Sequence, residues 1–454
     1  MTIEIPLLDF VNNWYDPFII GTGAVGKVEK LIFNPYKYER HSRDSNDIDG
    51  ETAIYNEQDK EKSFLKKSLE EMTEVYKKYE INADEKNDPY LKWCCQNPIL
   101  ARKVLVDYRE NQVERFKREI TTLFNIEHRN VLKIIGYTMQ PFAYYMPFID
   151  REPLEEKVLT PNAASYLALT LSNVFSYLHD RNIIHRDVKP ANILASKNLK
   201  VILLADFGIA KDLSLDLAGL TMQGMIMGTP EFLAPEYVKP DSGAEYSKSG
   251  DMFGFGATIY SLLTGVSPLG VFLPKKIDPK TNKPVSVAPM AKCITLATID
   301  DFKFLREIRP EIPERIEDAV MMKIAMNPED RLTAHESEQI WKEIRDKKQY
   351  IYQEKDSQHT QALYEKISEA EKQTFTNGYN DVYKFNQLLD LYPSEPSFIT
   401  KRIIAAKQAY GKLRQMVLQP NSENERKTLE QKLEFQRKRL ALEERRRKRF
   451  TNTK

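Results

Sequence analysis

The chain has 454 residues, 41% of them hydrophobic, and its 67 Lys+Arg and 66 Asp+Glu leave a formal net charge of +1. That length suits two or three domains, the apolar share is ordinary for a folded chain, and the charge balance argues against a polyanionic partner for the molecule as a whole. The three cysteines, Cys94, Cys95 and Cys293, show neither zinc-ligand spacing nor a C-x-x-C pair, so a reducing compartment, the cytoplasm, is the simplest reading. Met1 to Ile20 carries acids and no basic n-region, so no secretory leader is expected there, and no apolar run is long enough to span a membrane. Export into another cell by a signal of another kind is left open.

Phe18-Ile19-Ile20 reads as a strand running into Gly21-Thr22-Gly23-Ala24-Val25-Gly26-Lys27-Val28. Glycines let the backbone turn tightly and approach phosphate oxygens with no Cβ in the way. A dinucleotide-binding fold uses the same G-x-G-x-x-G letters, but it needs a helix after the third glycine. Here Val28-Glu29-Lys30-Leu31-Ile32-Phe33 is rich in strand formers, which favours a hairpin. Residues 34–59 are polar and read as irregular. Glu61 to Tyr79 reads as a helix, with Phe64, Leu65, Leu69, Met72, Val75, Tyr76 and Tyr79 at three-and-four spacing. Such a stripe is more often core packing than a surface for self-association or a regulator.

Ile99 to Val106 reads as a strand carrying Lys103. The following helix has an apolar stripe of Val113, Phe116, Ile120, Leu123 and Phe124, with Glu119 beside it. A buried ammonium needs a compensating carboxylate, and Glu119 is placed to supply it. Lys92 and Lys66 are alternatives to Lys103, though neither lies in such a strand. Val131 to Tyr137 and Phe142 to Ile149 read as two more strands. Ser165 to His179 reads as a helix whose face of Leu167, Leu171, Val174 and Leu178 is widened by Tyr166, Leu169, Phe175 and Tyr177, which suggests burial on more than one side.

The most informative stretch is Ile183-Ile184-His185-Arg186-Asp187-Val188-Lys189-Pro190-Ala191-Asn192-Ile193-Leu194, a polar loop between apolar pairs. Beyond it the apolar run Val201-Ile202-Leu203-Leu204, read as a buried strand, leads into Ala205-Asp206-Phe207-Gly208. Two acids and an amide can hold a hard divalent cation such as Mg²⁺. If Asn192 and Asp206 take the metal, Asp187 is left to orient and deprotonate a hydroxyl. H-R-D-x-x-x-x-N followed by D-F-G resembles the catalytic and metal-binding segments of the eukaryotic-type serine/threonine protein kinase family.

The resemblance implies an α+β, bilobal kinase fold over residues 15–345, after an N-terminal segment 1–14. A small β-rich lobe with one helix would precede a large helical lobe, with insertions at about 34–97 and 273–289. It implies ATP with Mg²⁺, or Mn²⁺ in its place. Asp187 would be the catalytic base, with Lys189 beside it, and Asn192 and Asp206 the metal ligands. Gly21, Thr22, Gly23 and Gly26 would lie over the phosphates. Lys103, paired with Glu119, would contact them. Ile20, Val28, Ala101, Met146, Ile149 and Leu194 would enclose the base, with Met146 as gatekeeper. His185 would be a packing residue, and Arg186 would neutralise an acid or phosphate on the activation segment between Asp206 and Glu236. There Ser214, Thr221 and Thr229 carry hydroxyls. Thr221 is the phosphosite candidate and Thr229 lines the substrate pocket. Glu236 would pair with Arg331 and Asp251 would brace the catalytic loop. Phe253 stands where the family commonly has tryptophan.

Residues 273–289 are rich in Lys and Pro and read as a surface loop. Ile312 to Ala325 and Ala334 to Ile344 read as helices that close the large lobe. Residues 346–454 are expected to form helices at about 354–375, 380–391, 395–417 and 422–449. Ile403, Ile404, Ala406, Ala409, Tyr410 and Leu413 suggest a packed helix, and Leu429, Leu433, Leu440 and Leu442 are too few for a coiled coil. Arg445-Arg446-Arg447-Lys448-Arg449 reads as a solvated helix end complementing the helix dipole. Contact with acidic lipid or nucleic acid is the less favoured alternative.

The function implied is transfer of the ATP γ-phosphoryl group to Ser/Thr hydroxyls of protein substrates, with autophosphorylation. A pseudokinase scaffold acting through its helical extension is the rival, and the presence of every residue the chemistry needs weighs against it. A small-molecule kinase is disfavoured by Ala234-Pro235-Glu236 and Thr229.

Overall fold

The computed structural model describes residues 18–22, 26–33, 77, 80, 99–106, 108–139, 142–149, 153–207, 230–238, 245–273, 289–346, 396–418, 420 and 422–451. The expectations for most of 34–97, for 208–229 with Ser214, Thr221 and Thr229, for the 274–288 loop and for the helices at 354–375 and 380–391 lie outside these residues. The chain divides into two compact units, Met1–Arg151 and Glu152–Lys454.

The first unit holds a five-stranded antiparallel sheet in the order β1-β2-β3-β5-β4. Its strands are β1 (Phe18–Thr22), β2 (Gly26–Ile32), β3 (Ile99–Leu105), β4 (Gly136–Met139) and β5 (Phe142–Pro147). The glycine segment is a hairpin: β2 begins at Gly26 and pairs back along β1, with a register shift between Ile19 and Gly21. No helix follows the third glycine, so the dinucleotide-fold alternative falls away. The first of the two strands expected after the helix is shorter than its sequence suggests. Val131 N–H bonds the carbonyl of His128 in a turn, and regular pairing starts only at Gly136. Helix α1 (Glu110–Phe124) buries Phe116, Ile120 and Leu123. The Phe116 ring stacks on Tyr144 at 5.7 Å and meets Phe142 edge-on at 6.3 Å.

In the second unit, helix α2 (Pro161–Asp180) buries Ala164, Leu167, Ala168, Leu171, Val174, Phe175 and Leu178. It starts before Ser165 because Thr160 caps it, its hydroxyl accepting from the Ala163 N–H, and Pro161 suits the first turn. Tyr166, expected on the buried face, is exposed. The short hairpin β6 (Ile193–Ala195) and β7 (Ile202–Leu204) follows the 185–192 loop. Helix α3 (Lys248–Thr264) is buried along nearly its whole length and ends at Gly265, whose φ of 79° is the left-handed conformation glycine tolerates. Periodicity reading gives no helix here, because glycines at 250, 254 and 256 depress helix propensity. The glycines serve close packing instead: a Cβ on Gly254 would stand 3.0 Å from both Val188 Cβ and the Val188 carbonyl oxygen. Helices α4 (Pro289–Thr298), α5 (Glu314–Met321) and α6 (Ala334–Asp346) complete this layer. Helix α5 is shorter than the expected 312–325, its last turn tightening where Lys323 N–H bonds the Val320 carbonyl.

Helices α7 (Pro396–Leu418) and α8 (Glu423–Thr451) form an antiparallel pair. Ile403, Ala406, Ala409 and Leu413 are buried, as are Leu429 and Leu442, whereas Ile404 is exposed. Among the described residues no helix is long and apolar enough to cross a membrane.

The expectation of a solvated basic run holds at Arg447 and Lys448, which are exposed, and fails at Arg446. Arg446 is fully buried and pairs with Asp318, Glu317 at 3.3 Å and Glu443 at 3.1 Å. Arg402 of α7 reaches Glu443 at 2.7 Å and Glu314 at 2.5 Å. Arg439 joins Asp318 at 3.0 Å, Arg445 holds Asp301 at 2.5 Å and Arg449 holds Glu307 at 3.1 Å. The acids of α5 and its preceding loop recruit Arg445, Arg446 and Arg449 into the fold, while Arg447 and Lys448 are exposed. Burial alone would raise the Asp318 carboxyl, but Arg446, Arg439 and Arg402 outweigh it and hold it down to about 2. Burial dominates at Glu317 and pushes that carboxyl up.

Lys323 is a contrasting case. It is fully buried, its Nζ donates to the Ala319 carbonyl at 2.7 Å, and Phe255 and Trp341 lie 5.1 and 5.2 Å away. Burial drives its amine well below the usual lysine range.

Two variants separate these cases. Arg446→Ala strands buried acids and should cost about 3–5 kcal/mol of unfolding free energy in a denaturant titration. Lys323→Met replaces a buried amine by a near-isosteric apolar chain and should gain about 1–3 kcal/mol at pH 7. The lowered pKa means the unfolded state binds more protons. The wild type should therefore gain stability as pH rises toward the unfolded value near 10.5, and the variant should lack that slope. A less stable Lys323→Met protein, or a variant with the wild-type slope, would refute the assignment.

Candidate active site

In the first unit the sheet register fixes which residues share a face, because cross-strand partners point the same way. Val28 pairs Lys103, which pairs Tyr144, and Ala101 pairs Met146. Val28, Ala101, Lys103 and Met146 therefore line one face. Lys103 Nζ donates to Glu119 Oε1 at 2.9 Å, and the same oxygen accepts from the Tyr144 hydroxyl at 2.9 Å. Glu119 is buried and Lys103 half-buried. Neither Lys66 nor Lys92 is among the described residues, and the paired lysine is Lys103. Tyr144 is a member that sequence reading missed. Its signal was alternation: it lies two residues before Met146, hence on the same face of β5. Ile20, Gly21 and Thr22 lie in β1, and Gly26 opens β2. Gly23 is outside the described residues. Ile149 follows β5, half-buried.

On the opposite face of β2, Glu29 is buried beneath Arg102, whose Nε and Nη2 donate to one carboxylate oxygen at 2.9 and 2.6 Å. Burial would raise this carboxyl, but hydrogen bonds from Lys27 and Arg102 outweigh it and keep it below the ordinary value.

In the second unit the 185–192 loop is built on a buried carboxylate. Asp251, in the first turn of α3, accepts from the His185 N–H at 2.8 Å and the Arg186 N–H at 2.8 Å. It also meets His179 Nε2 at 3.1 Å, a third contact the sequence did not suggest. These bonds hold Arg186 at φ 70°, a left-handed conformation that costs a branched-out side chain about 1 kcal/mol or more. His185 is fully buried, and its burial lowers the imidazole pKa, which favours the neutral ring. Nε2–H donates to the Ala205 carbonyl at 3.0 Å, and Nδ1 accepts from the Asp187 N–H at 3.3 Å. The ring also packs on Phe207 at 4.5 Å. His185 thus ties the 185–187 backbone to the 205–207 backbone and has no spare nitrogen for proton transfer.

The Asp187 carboxylate is held from two sides. Lys189 Nζ lies 2.9 Å from Oδ2, and Asn192 Nδ2 donates to the same oxygen at 3.0 Å. Asn192 Nδ2 also donates to the Asp187 carbonyl at 2.7 Å. With both amide hydrogens turned inward, the hard oxygen of Asn192 is the atom presented to a cation. Asp206 is exposed at the end of β7 and takes φ 54°. Among the described residues no cluster of three or more His, Cys, Asp or Glu forms a closed metal cage. An amide oxygen and one carboxylate fit Mg²⁺, which keeps waters and phosphate oxygens in its shell. Leu194 sits mid-strand in β6 opposite Leu203, half-buried.

The end of the activation segment is anchored by a second ion pair. Arg331 donates from Nη1 to Glu236 Oε1 at 2.7 Å and from Nη2 to Oε2 at 2.6 Å. Its guanidinium lies 5.0 Å from the Phe253 ring, so phenylalanine supplies an aromatic face at this position.

Asp251→Asn would turn an amide N–H toward two backbone donors. It should cost about 3 kcal/mol of stability and raise hydrogen exchange at residues 185–187. Unchanged exchange there would show that the carboxylate does not brace the loop.

The family model described as protein kinase domain matches residues 93–341, more than half of the chain. The chain is 35% identical over 208 residues to serine/threonine-protein kinase pkn2 of Myxococcus xanthus, covering 42% of this chain and 24% of that protein. It is 33% identical over 167 residues to serine/threonine-protein kinase PkaA of Streptomyces coelicolor, covering 35% of this chain and 30% of that one. The chain thus spans less than a third of the length of either relative. Among solved structures, the crystal structure of Rad53 1-466 in complex with AMP-PNP aligns with a TM-score of 0.44 at 17% identity, over 73% of this chain and 66% of that one. By the family match, the chain belongs to the protein kinase domain family.

Proposed function

We propose that this chain is a protein serine/threonine kinase that transfers the γ-phosphoryl group of ATP to a hydroxyl of a protein substrate, with Mg²⁺ as the metal. The observation that carries this reading is the fixed Asp187 carboxylate, held by Lys189 and Asn192 on a loop braced by Asp251. A carboxylate so oriented accepts the hydroxyl proton as the new O–P bond forms and the bond to the leaving ADP breaks. Lys103, kept extended by Glu119 and Tyr144, supplies a positive charge for the α/β-phosphates. The glycine hairpin offers backbone N–H groups to phosphate oxygens, and Val28, Ala101 and Met146 offer an apolar face to the base. Asn192 and Asp206 would hold the metal, which when bound neutralises charge on the phosphate oxygens. Lys189, two residues beyond Asp187, supports a hydroxyl acceptor of the Ser/Thr type by the family pattern.

The complete set Lys103, Glu119, Asp187, Asn192 and Asp206 disfavours a scaffold that has lost chemistry. On cysteine usage we place the protein in a reducing compartment, the cytoplasm.

Asp187→Asn and Lys103→Met should each lower transfer of radiolabelled phosphate from ATP to casein, or to the chain itself, by about 100-fold or more, with Mg²⁺ present. Retention of near wild-type transfer by Asp187→Asn, or transfer that persists unchanged in EDTA, would refute the reading.

A further inference from the structure

Helix α8 touches the kinase machinery at one place that its docking does not require. Arg437 donates from Nη1 to Asp330 Oδ1 and from Nη2 to the Glu329 carbonyl, both at 2.5 Å. Glu434, one turn earlier, pairs with the same guanidinium at 2.8 Å and pre-orients it. The adjoining Lys438 reaches Glu336 at 2.7 Å, and Glu336 accepts in turn from the Thr333 N–H at 2.7 Å. Residues 330 and 333 bracket Arg331, whose guanidinium holds Glu236 at the end of the activation segment. The same loop is tied to α3 by the Ser249 hydroxyl, which donates to the Pro328 carbonyl at 2.9 Å.

We propose that Arg437 is a positioning residue for phosphotransfer: from the C-terminal helix it fixes the 329–330 backbone, hence the Arg331 guanidinium, hence the Glu236 end of the substrate-facing segment. The C-terminal helices are thereby an in-chain activator of the kinase unit. The inference rests on the proposed phosphotransfer activity.

The alternative is that Arg437 merely helps to dock α8. The buried pairs of Arg446 with Asp318 and Glu317 already fix the helix. Arg437 and Asp330 are by contrast partly exposed, so their removal leaves docking in place and isolates the effect on the loop. A control is available on the same helix. Arg449 pairs with Glu307 at 3.1 Å, also partly exposed, but away from the 328–333 loop.

The test uses the full chain in four forms: wild type, Arg437→Ala, Arg437→Lys and Arg449→Ala. Steady-state transfer from ATP to casein and hydrogen exchange of segment 230–238 are both measured, with melting temperature as the check on docking. Arg437→Ala should lose about tenfold in kcat/KM for casein, with KM for ATP unchanged and faster exchange at 230–238. Arg437→Lys should recover part of the loss, and Arg449→Ala should match wild type in both arms. Equal losses in Arg437→Ala and Arg449→Ala, or a lowered melting temperature with unchanged exchange at 230–238, would overturn the proposal. No transfer by wild type would refute the activity reading, and the exchange arm would then decide the structural coupling alone.

Discussion

The Asp251 carboxylate receives the N–H groups of His185 and Arg186, and the second unit's site depends on that contact. A backbone turn with Arg186 in the left-handed region does not persist without such over-determination. Asp251 can sit beneath the turn because α3 approaches it without side chains in the way, Gly254 lying directly against Val188. From the fixed turn, His185 reaches the Ala205 carbonyl while Asp187 meets Lys189 and Asn192. One buried acid thus sets the geometry of the Asp187 carboxylate and of the strand end that bears Asp206.

A parallel logic runs through the first unit. Its sheet places alternate residues on one face, and the Glu119 oxygen collects both the Lys103 ammonium and the Tyr144 hydroxyl. Phe116, packed on the Tyr144 ring, aligns the helix with the strand that carries this tyrosine. The carboxylate is buried, so its two donors are a requirement of desolvation as much as of function.

The glycine hairpin, the lysine strand with its partner helix and the catalytic loop were legible because each couples a distinctive motif to a local period. What escaped was non-local. Helix α3 hid behind glycines whose purpose, close approach to Tyr237, Val188 and Lys323, exists only in the folded chain. Tyr144 and His179 acquire their roles through partners 25 and 72 residues away. The arginine run was misread for the same reason. Five cations in sequence look uniformly solvated until the acids at 301, 307, 317 and 318 are brought against Arg445, Arg446 and Arg449.

The charge cluster around Arg446 carries a consequence for how the protein is made. Glu317 and Asp318 leave the ribosome more than a hundred residues before their guanidinium partners. Until α8 emerges, ionised acids at these positions have strong reason to stay hydrated. The acid cluster of α5 therefore acquires its cationic partners only once α8 has been made. Synthesis order makes this helix a keystone, and a ribosome stalled before it would leave a chain with its acids still facing water.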